Sequence, residues 1–466
     1  MKLRLLKLVA AVIAVALVAG LGFGCKTAAT ATTAAAETTA VAETTAAAET
    51  TSGEPVNLVV WYWGEQEVPG LQKWMEESGK LYSEKTPNVT IETVLQTTDG
   101  LYPAFRAAAA AKEGPDIQYL WGAIWTLEDA WAGNLEPIEN WWTDEEIKNQ
   151  PFYNQEYNGG HYWSTKFYIG GLITLYNKQI FKDLGIEVKA DQDLTMDELF
   201  KICSTLKDNK ITPIAGGIKD GFLGEWLAAL WGGLELDDPK EFVLAALGEK
   251  SFKDPKFSVF WKTVEDMYKN GFFNKDVTSL ELYAGMEGFK QGKAGLTTIF
   301  SGAISDFQKA LGEENVGILP VVKGSGLASG RYPGGAQSLS ITSFSKHKKE
   351  AADFLRFLHT SERAAAFYKE TNGSGIIADK SFDSGLITNP LVKELFDSYI
   401  KTGKMGQVIV DSCPAFIHDE GLMKGLQLML GGQMSADEAI QLMDDTSTNW
   451  RDQNPEEVKK FENLKP

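Results

Sequence analysis

Short apolar runs alternate with amphipathic helical stretches from Val56 onward, and this alternation restricts the fold more than any other feature of the sequence. The run "NLVVWYW" precedes a helical pattern from Leu71 to Lys85, "VTIETVL" precedes another, and "PDIQYLW" precedes a third near Leu127. Strands that alternate with helices in this way build a parallel sheet with helices on both faces. A similar series follows Thr195, and 466 residues with 44% hydrophobic side chains are enough for two packed lobes. The sequence therefore predicts an α/β fold.

Two pairs of glycines interrupt the segment "NGGHYWSTKFYIGGLITLYN" between these two series. Glycine pairs between strand-like runs are typical of tight turns, and also of places where two strands cross closely. We expect this segment to be a turn or a passage from one lobe to the other.

The charge balance restricts the partners of the chain. Its 45 basic and 63 acidic side chains leave a net charge of -18. Binding to nucleic acid needs a basic surface, and so does docking on anionic lipid, so both are disfavoured. A neutral or cationic partner fits better.

Residues 1–24 have the order of an export signal, in which basic residues precede an apolar run from Leu8 and small residues precede Cys25. A retained membrane anchor is the alternative, because the apolar run approaches spanning length. The text "GFGC" resembles the lipobox of bacterial lipoproteins, although that motif is more often Leu-Ala-Gly-Cys. The resemblance implies that residues 1–24 are a signal peptide and that Cys25 is lipidated, which anchors the protein to the cell membrane.

Residues 26–53 are almost entirely Ala, Thr and Glu, and "AETT" occurs three times. Such a segment has no apolar periodicity to bury, which predicts a disordered tether over residues 25–54. As a flexible coil it would span roughly 30 Å on average.

Motifs for cofactors, metals and catalysis are weak or missing in this sequence. The text "GSGLASG" lacks both the spacing and the following helix of a nucleotide-binding loop, and the four histidines stand far apart. We predict no cofactor and no metal. Two unpaired thiols are favoured over a bridge for Cys203 and Cys413. A glycosidase carboxylate pair stays open, because 63 carboxylates place some pair close in space.

Aromatic residues at the ends of segments are the positive signal. The chain has 13 Trp, 24 Phe and 14 Tyr, and eight residues stand beside polar or glycine residues: Trp61, Trp63, Trp121, Trp125, Tyr162, Trp163, Trp226 and Trp231. Aromatic faces stack on the C–H faces of sugars, while core packing is the alternative for each single Trp. We expect Trp61 to pack in the core and Trp63, next to Gly64, to contact a ligand.

Four segments resemble extracellular sugar-binding lipoproteins of ATP-driven importers, the family that includes maltose-binding protein. They are "YNGGHYWSTKFYIGGLITLYNKQIFKDLGI", "FKQGKAGLTTIFSGAISDF", "GGAQSLSITSFSKHKKEAADFLRFLHTSE" and "LMLGGQMSADEAIQLM". The resemblance extends from Val56 to about Leu442.

The resemblance implies a two-lobe periplasmic-binding-protein-like fold with hinge strands and a ligand cleft between the lobes. The implied domains are 55–168 with 334–368 for lobe 1, and 169–333 with 369–466 for lobe 2. The chain would cross between the lobes near Lys166 to Leu172, Arg331 to Gly335 and Tyr368 to Gly375. Ligands of open α/β sheets lie beyond the carboxyl ends of the strands, which agrees with such a cleft.

The resemblance also implies the residues that bind ligand. Ala303 stands where the family has a stacking tryptophan, and Phe300 or Ser301 could replace its contact. The implied ligand-binding residues are Trp63, Glu65, Gln66, Trp121, Tyr168, Phe222, Trp226, Phe300, Ser301, Asp411 and Phe416.

The function implied is an extracytoplasmic receptor, not an enzyme, that delivers a mono- or oligosaccharide to an ABC importer by cleft closure. Its partners would be the solute and the membrane permease subunits, and we expect a monomer. The acidic balance and Ala303 leave open a cationic or other non-sugar solute. A secreted carbohydrate-active enzyme is the alternative of another class.

Overall fold

The computed structural model describes residues 54–189, 192–327, 329–402, 404–406 and 409–466. The predicted signal peptide, the lipidated Cys25 and the tether as far as Gly53 lie outside these residues. None of the helices in the described ranges is long and apolar enough to cross a membrane.

Strands in the described residues are short except for two in the middle of the chain. They are β1 (Val56–Tyr62), β2 (Val89–Leu95), β3 (Ile117–Leu120), β4 (Tyr157–Asn158), β5 (His161–Tyr162), β6 (Thr165–Asn177), β7 (Thr212–Ala215), β8 (Ala294–Phe300), β9 (Val316–Ile318), β10 (Tyr332–Ile341), β11 (Ile376–Ile377) and β12 (Met405–Gly406).

Helices separate most of these strands, as the alternation predicts. They are α1 (Leu71–Lys85), α2 (Leu101–Ala111), α3 (Ala123–Trp131), α4 (Asp144–Lys148), α5 (Lys178–Asp183), α6 (Met196–Asp208), α7 (Phe222–Trp231), α8 (Glu241–Ala246), α9 (Pro255–Lys269), α10 (Leu282–Gly285), α11 (Glu287–Lys290), α12 (Ile304–Leu311), α13 (Lys348–Leu358), α14 (Ser361–Glu370), α15 (Pro390–Leu395), α16 (Ala415–Ile417), α17 (Lys424–Leu430), α18 (Ala436–Gln453) and α19 (Pro455–Phe461). Single 3₁₀ turns lie at Ile138–Asn140, Ser301–Ala303, Glu313–Asn315, Ser384–Leu386, Ile409–Ser412 and Glu462–Leu464, and π-helical turns at Phe396–Ile400 and His418–Met423.

The strands pair in the order β2-β1-β3-β10-β6-β8-β7. β1 runs parallel to β2 and β3, and we call these three strands the first half-sheet. β7 runs parallel to β8, and β9 pairs with the end of β6; we call β7, β8 and β9 the second half-sheet. The long strands β6 and β10 lie antiparallel between the two halves.

The two predicted glycine pairs have different roles. Gly159 and Gly160 form the two-residue turn between β4 and β5, with positive φ angles of 64° and 88°, which suits this type of hairpin. Gly170 and Gly171 lie on β6 opposite Gly335 and Gly334 of β10. A Cβ atom on Gly334 would lie 2.4 Å from the carbonyl oxygen of Gly170. The second pair therefore allows β6 and β10 to pass each other closely.

The core face of β1 is not the face that we expected. Leu58, Val60 and Tyr62 are buried, whereas Trp61 is only half-buried and does not join the core. The prediction that Trp61 packs in the core is wrong, because the alternate residues of β1 face the packed side. Cys203 and Cys413 are both buried free thiols, which agrees with the favoured interpretation.

A fully buried ion pair joins β6 to the loop before it. The ammonium group of Lys166 contacts the Glu156 carboxylate and lies 3.4 Å from the hydroxyls of Ser164 and Ser338. The same carboxylate accepts a hydrogen bond of 2.6 Å from the backbone N–H of Ala123, where α3 begins. Burial lowers the pKa of Lys166. The pair thus connects β6, β10 and α3 at one buried point.

We expect Lys166→Met to lower the free energy of unfolding by about 3–5 kcal/mol, because it leaves the Glu156 carboxylate buried without its partner. Urea unfolding followed by circular dichroism measures the change. The double variant Lys166→Met/Glu156→Gln should recover part of the loss. Lys346→Met at an exposed lysine is the control, and an equal loss in this control would contradict the role of the pair.

Candidate functional site

A cavity of about 100 Å³ lies over the crossing of β6 and β10. Its floor comprises Gly170 to Leu172 on one strand and Pro333 to Gln337 on the other, and four of these residues are glycines. Its walls come from segments that follow β1, β2 and β3 in the first half-sheet and from the end of β8 and α7 beyond it. This is where the carboxyl ends of parallel strands place a ligand.

Aromatic rings form most of the walls of the cavity. Trp63 follows β1 directly, and its ring centroid lies 6.0 Å from that of Trp121, which follows β3. Trp121 in turn contacts Trp125 of α3 at 5.3 Å and Phe222 of α7 at 6.0 Å, in both cases edge to face. On the opposite wall the Trp226 and Tyr283 centroids lie 6.1 Å apart. The contact between Trp121 and Phe222 joins the wall that follows β3 to the wall formed by α7.

Polar partners hold these rings in place. The indole N–H of Trp63 donates to the hydroxyl of Thr98 at 3.0 Å, and the backbone N–H of Trp121 donates to the hydroxyl of Tyr102 at 2.9 Å. The ring of Phe300 packs against Gly170 of β6, where a Cβ atom would come within 2.4 Å of it. The rings are therefore oriented before any ligand arrives.

Glu67 places a carboxyl group in this aromatic wall. Its side chain is 8% exposed and accepts a hydrogen bond of 3.2 Å from the hydroxyl of Tyr168, which also contacts the hydroxyl of Tyr119 at 3.0 Å. Burial raises the pKa of Glu67 to about 8, the Tyr168 hydrogen bond opposes this, and the charge of Glu225 adds to it. At neutral pH most of the Glu67 side chains are therefore uncharged.

A second carboxyl group, that of Glu225 on α7, lines the same cavity. Burial raises its pKa, and His418 partly opposes that effect. The Nε2 atom of His418 lies 3.7 Å from Oε2 of Glu225, beyond hydrogen-bond distance, and its Nδ1 atom contacts Asp419 at 2.7 Å. Burial opposes the charged imidazole, but Asp419 and Glu225 outweigh burial and raise the pKa of His418.

Two amide side chains complete the polar part of the wall. Gln337 accepts a hydrogen bond of 3.0 Å from the hydroxyl of Tyr119. Gln155 accepts one of 3.4 Å from the backbone N–H of Ala336, and its neighbour Glu156 belongs to the buried ion pair. The ion pair thus positions a residue of the cavity.

Six of the eleven residues implied as ligand-binding line the cavity: Trp63, Trp121, Phe222, Trp226, Phe300 and Asp411. They come from five separate segments of the chain. The structure therefore brings together the aromatic residues that the sequence placed at segment ends.

The other five implied residues lie outside the lining. Tyr168 does not line the cavity but contacts two residues that do, Glu67 and Phe300. Glu65 accepts hydrogen bonds from the backbone N–H groups of Gly70 and Gln72 at the start of α1. The remaining three lie as follows: Gln66 is exposed and accepts from Thr98, Ser301 accepts from the N–H of Gly171, and Phe416 is 38% exposed. Ala303 is buried beside Phe300 and does not line the cavity either.

Sequence reasoning missed several lining residues, including Glu67, Gln155, Glu225, Tyr283 and Gln337. Helical spacing could have found one of them. Phe222, Glu225, Trp226 and Ala229 recur at the i, i+3, i+4 and i+7 positions of one helix face, and all four line the cavity. Gln155 and Gln337 carry no such signal, because they lie in a loop and beside a strand irregularity.

Metal ligation finds no support in the part of the chain that the structure describes. Its residues include no group of three or more His, Cys, Asp or Glu side chains that could hold a metal ion. The expected absence of a metal and of a cofactor stays a prediction.

The sequence matches one protein family over most of the folded part. Residues 64–365 match the family described as bacterial extracellular solute-binding protein. A maltotriose-binding protein of Pyrococcus abyssi is 30% identical over 190 residues, which cover 40% of this chain and 38% of that protein. An uncharacterized ABC transporter extracellular-binding protein of Pyrococcus horikoshii is 28% identical over 171 residues, covering 34% of this chain and 37% of that protein. The chain thus matches less than two fifths of the length of these curated relatives.

Solved structures show a similar fold at low sequence identity. A chitin oligosaccharide binding protein superposes with a TM-score of 0.75 at 21% identity, covering 85% of this chain and 99% of its own. The GacH receptor of Streptomyces glaucescens superposes with a TM-score of 0.64 at 18% identity, covering 86% of this chain and 98% of its own. The predicted two-lobe α/β fold is confirmed, whereas the exact lobe boundaries stay a prediction.

We expect the free energy of unfolding to decrease as the pH rises from about 5 to 8, because Glu67 loses its proton over this range. Its folded-state pKa of about 8 lies above its ordinary value of 4.5. The stabilisation that Glu67 contributes to the folded state is therefore complete below pH 4.5 and is lost as the pH rises toward 8. The loss should be on the order of a few kcal/mol. Urea unfolding of the wild type and of Glu67→Gln across this range measures it, and a difference between them that does not change with pH would contradict the assignment.

Proposed function

The chain belongs to the bacterial extracellular solute-binding protein family, and we propose that it is the receptor of an ABC importer for a mono- or oligosaccharide. In this proposal the protein binds the sugar outside the cytoplasm, encloses it between the two lobes and presents it to the membrane permease subunits. It acts as a monomer, needs no cofactor and leaves the sugar chemically unchanged.

The observation that carries the proposal is an aromatic cavity built from both half-sheets and floored by the two strands that join them. Sugar rings have apolar C–H faces and polar edges, so a site for them combines aromatic platforms with a few placed carboxyl and amide groups. Trp63, Trp121 and Trp226 supply platforms, while Glu67 and Gln337 supply hydrogen-bonding groups within the same cavity. The relatives named for maltotriose and for chitin oligosaccharide support the same class of ligand.

A neighbouring cleft supports a ligand longer than one sugar unit. It has a volume of about 390 Å³ and shares Gln155, Gly334 and Asp411 with the aromatic cavity. Its other walls include Tyr157 and Asn158. An oligosaccharide whose first sugar unit lies in the aromatic cavity could therefore extend its next unit into this more polar cleft.

Contacts across the cavity support closure as the mode of action. Trp121 touches Phe222, and Trp125 lies edge to face against His418 with 4.9 Å between ring centroids. The backbone N–H of Ala415 donates to Glu128 of α3 at 2.8 Å. Hinge closure of two lobes around a ligand is a known way to signal occupancy to a partner.

Membrane attachment is the part of the proposal that rests on the sequence alone. The lipobox resemblance at Cys25 and the Ala/Thr/Glu-rich segment after it support a lipid anchor and a tether. The extracellular family of the chain agrees with an exported protein.

We expect a sugar of the correct class to raise the melting temperature and change the tryptophan fluorescence of residues 53–466. A ligand present at 100 times its Kd stabilises the folded state by about 2.7 kcal/mol. The panel would contain malto-, chito- and xylo-oligosaccharides with their monosaccharides. A response to polyamines or peptides and to no carbohydrate would contradict the sugar, and recovery of cleaved sugar would favour the alternative of a carbohydrate-active enzyme.

Trp121→Ala should weaken sugar binding by about tenfold or more, because it removes a stacking surface worth on the order of 1–3 kcal/mol. Isothermal titration calorimetry measures the affinity. Trp141→Ala is the matched control, since the indole of Trp141 donates to Glu136 and lines neither the cavity nor the neighbouring cleft. Equal losses in both variants would show that Trp121 acts through general packing.

Cys25→Ala should release the full-length protein from the membrane fraction of its producing cells, because the lipid attachment site is lost. Fractionation followed by immunoblotting measures the distribution. A protein that stays in the membrane fraction would instead support the retained apolar segment as an anchor.

A further inference from the structure

The charges around the aromatic cavity are of one sign. Glu67, Glu225 and Asp411 line it, and the lining that the structure describes contains no Lys, Arg or His. Buried carboxyl groups are usually paired with a basic side chain, because an unpaired buried charge is unfavourable. The nearest basic group to Glu225 is His418, which already contacts Asp419.

The two carboxyl groups also keep unused hydrogen-bonding capacity. Within residues 54–466 as described, the side chain of Glu67 accepts one hydrogen bond, from Tyr168, and only through its Oε2 atom. The buried Oε2 atom of Glu225 accepts none. A carboxylate can accept about four hydrogen bonds. The two carboxyl groups therefore keep free acceptor positions that donor groups of a ligand would fill.

The aromatic rings around these groups favour a cation. The faces of Trp and Tyr rings attract ammonium groups, and the attraction grows to about 2 kcal/mol when water is excluded. Trp226 is next to Glu225 on α7, Tyr283 is close to both carboxyl groups, and Trp63 and Trp121 line the same cavity. The charge of Glu225 disfavours the charge of Glu67, so a positive charge placed between them would relieve this repulsion.

We propose that the sugar taken by this site carries a protonated amino group, held between Glu67 and Glu225 within the aromatic walls. The ligand class is thus an amino sugar or an oligosaccharide that contains one. This inference rests on the proposed sugar-receptor function and narrows it. Neutral sugars of the same shape would bind more weakly, because they leave the Glu67 carboxyl group without a counter-charge.

Binding of an amino sugar has a consequence that binding of a neutral sugar lacks. Glu67 is mostly protonated at neutral pH, and an adjacent ammonium group favours its carboxylate form. The groups that face Glu67 are Tyr168, Glu225, Tyr119 and Tyr283, and none of them supplies a positive charge. The complex should therefore release up to about one proton to the buffer.

Calorimetry with matched pairs of sugars tests the proposal. The pairs are glucose with glucosamine, galactose with galactosamine, mannose with mannosamine, and cellobiose with the β-1,4 dimer of glucosamine. Titrations at about pH 6.5 in two buffers of different ionisation enthalpy give both the affinity and the number of protons released. We expect the amino member of at least one pair to bind about tenfold or more tightly than its neutral partner, with proton release only for the amino member.

Two variants separate the charge from the shape of the site. Glu67→Gln keeps the shape of the neutral carboxyl group. It should abolish proton release and lower the ratio of the affinities for the amino and the neutral sugar toward one. Glu136→Gln is the control, because this partly buried carboxylate pairs with Lys348 away from the cavity. It should keep both the preference and the proton release.

The outcomes distinguish this inference from the proposed function. Equal or tighter binding of neutral members, without proton release, overturns the inference and leaves the sugar receptor intact. Binding of spermidine or choline with no binding of any sugar overturns the sugar function itself. An unchanged amino preference in Glu67→Gln would falsify the role of Glu67.

Discussion

The close passage of β6 and β10 is the constraint on which the rest of this structure depends. The strands approach through Gly170 and Gly171 on one side and Gly334 and Gly335 on the other, and a Cβ atom on Gly171 or Gly334 would meet backbone. Because this stretch has no side chains between the strands, it can carry the chain from one half-sheet to the other. The buried pair of Lys166 and Glu156 lies beside it and fixes the loop that holds Gln155.

The same crossing determines the character of the ligand site. Its glycines leave part of the cavity floor without side chains, so most ligand-recognising side chains come from the walls. Those walls belong to different half-sheets, and the contact between Trp121 and Phe222 brings them together. This approach removes water from Glu67 and Glu225 and raises the pKa of both. The charge state of the site is therefore coupled to how closely its walls approach.

Local patterns predicted part of the candidate site well. Trp63 and Trp121 follow β1 and β3 directly, and residues at the carboxyl ends of parallel strands meet at one edge of a sheet. Glu65 and Glu67 stand two positions apart in one loop, yet one caps α1 and the other enters the cavity. The direction of the loop decides this difference, and no local pattern encodes it. Strand alternation alone does not place Trp61, because the face of β1 that helices cover is a property of the whole sheet.

The sequence by itself determined the alternation of strands and helices, the acidic balance, the aromatic residues at strand ends and the family of the chain. These features are local or compositional, so they can be recognised without distances. Only the tertiary structure decided which glycine pair became the crossing, and which carboxyl groups face each other in a cavity whose described lining contains no basic side chain. Both depend on contacts between residues more than 100 positions apart, such as Glu67 with Tyr168 and Gly171 with Gly334. Burial, which sets the charge of those carboxyl groups, arises only when such segments pack together.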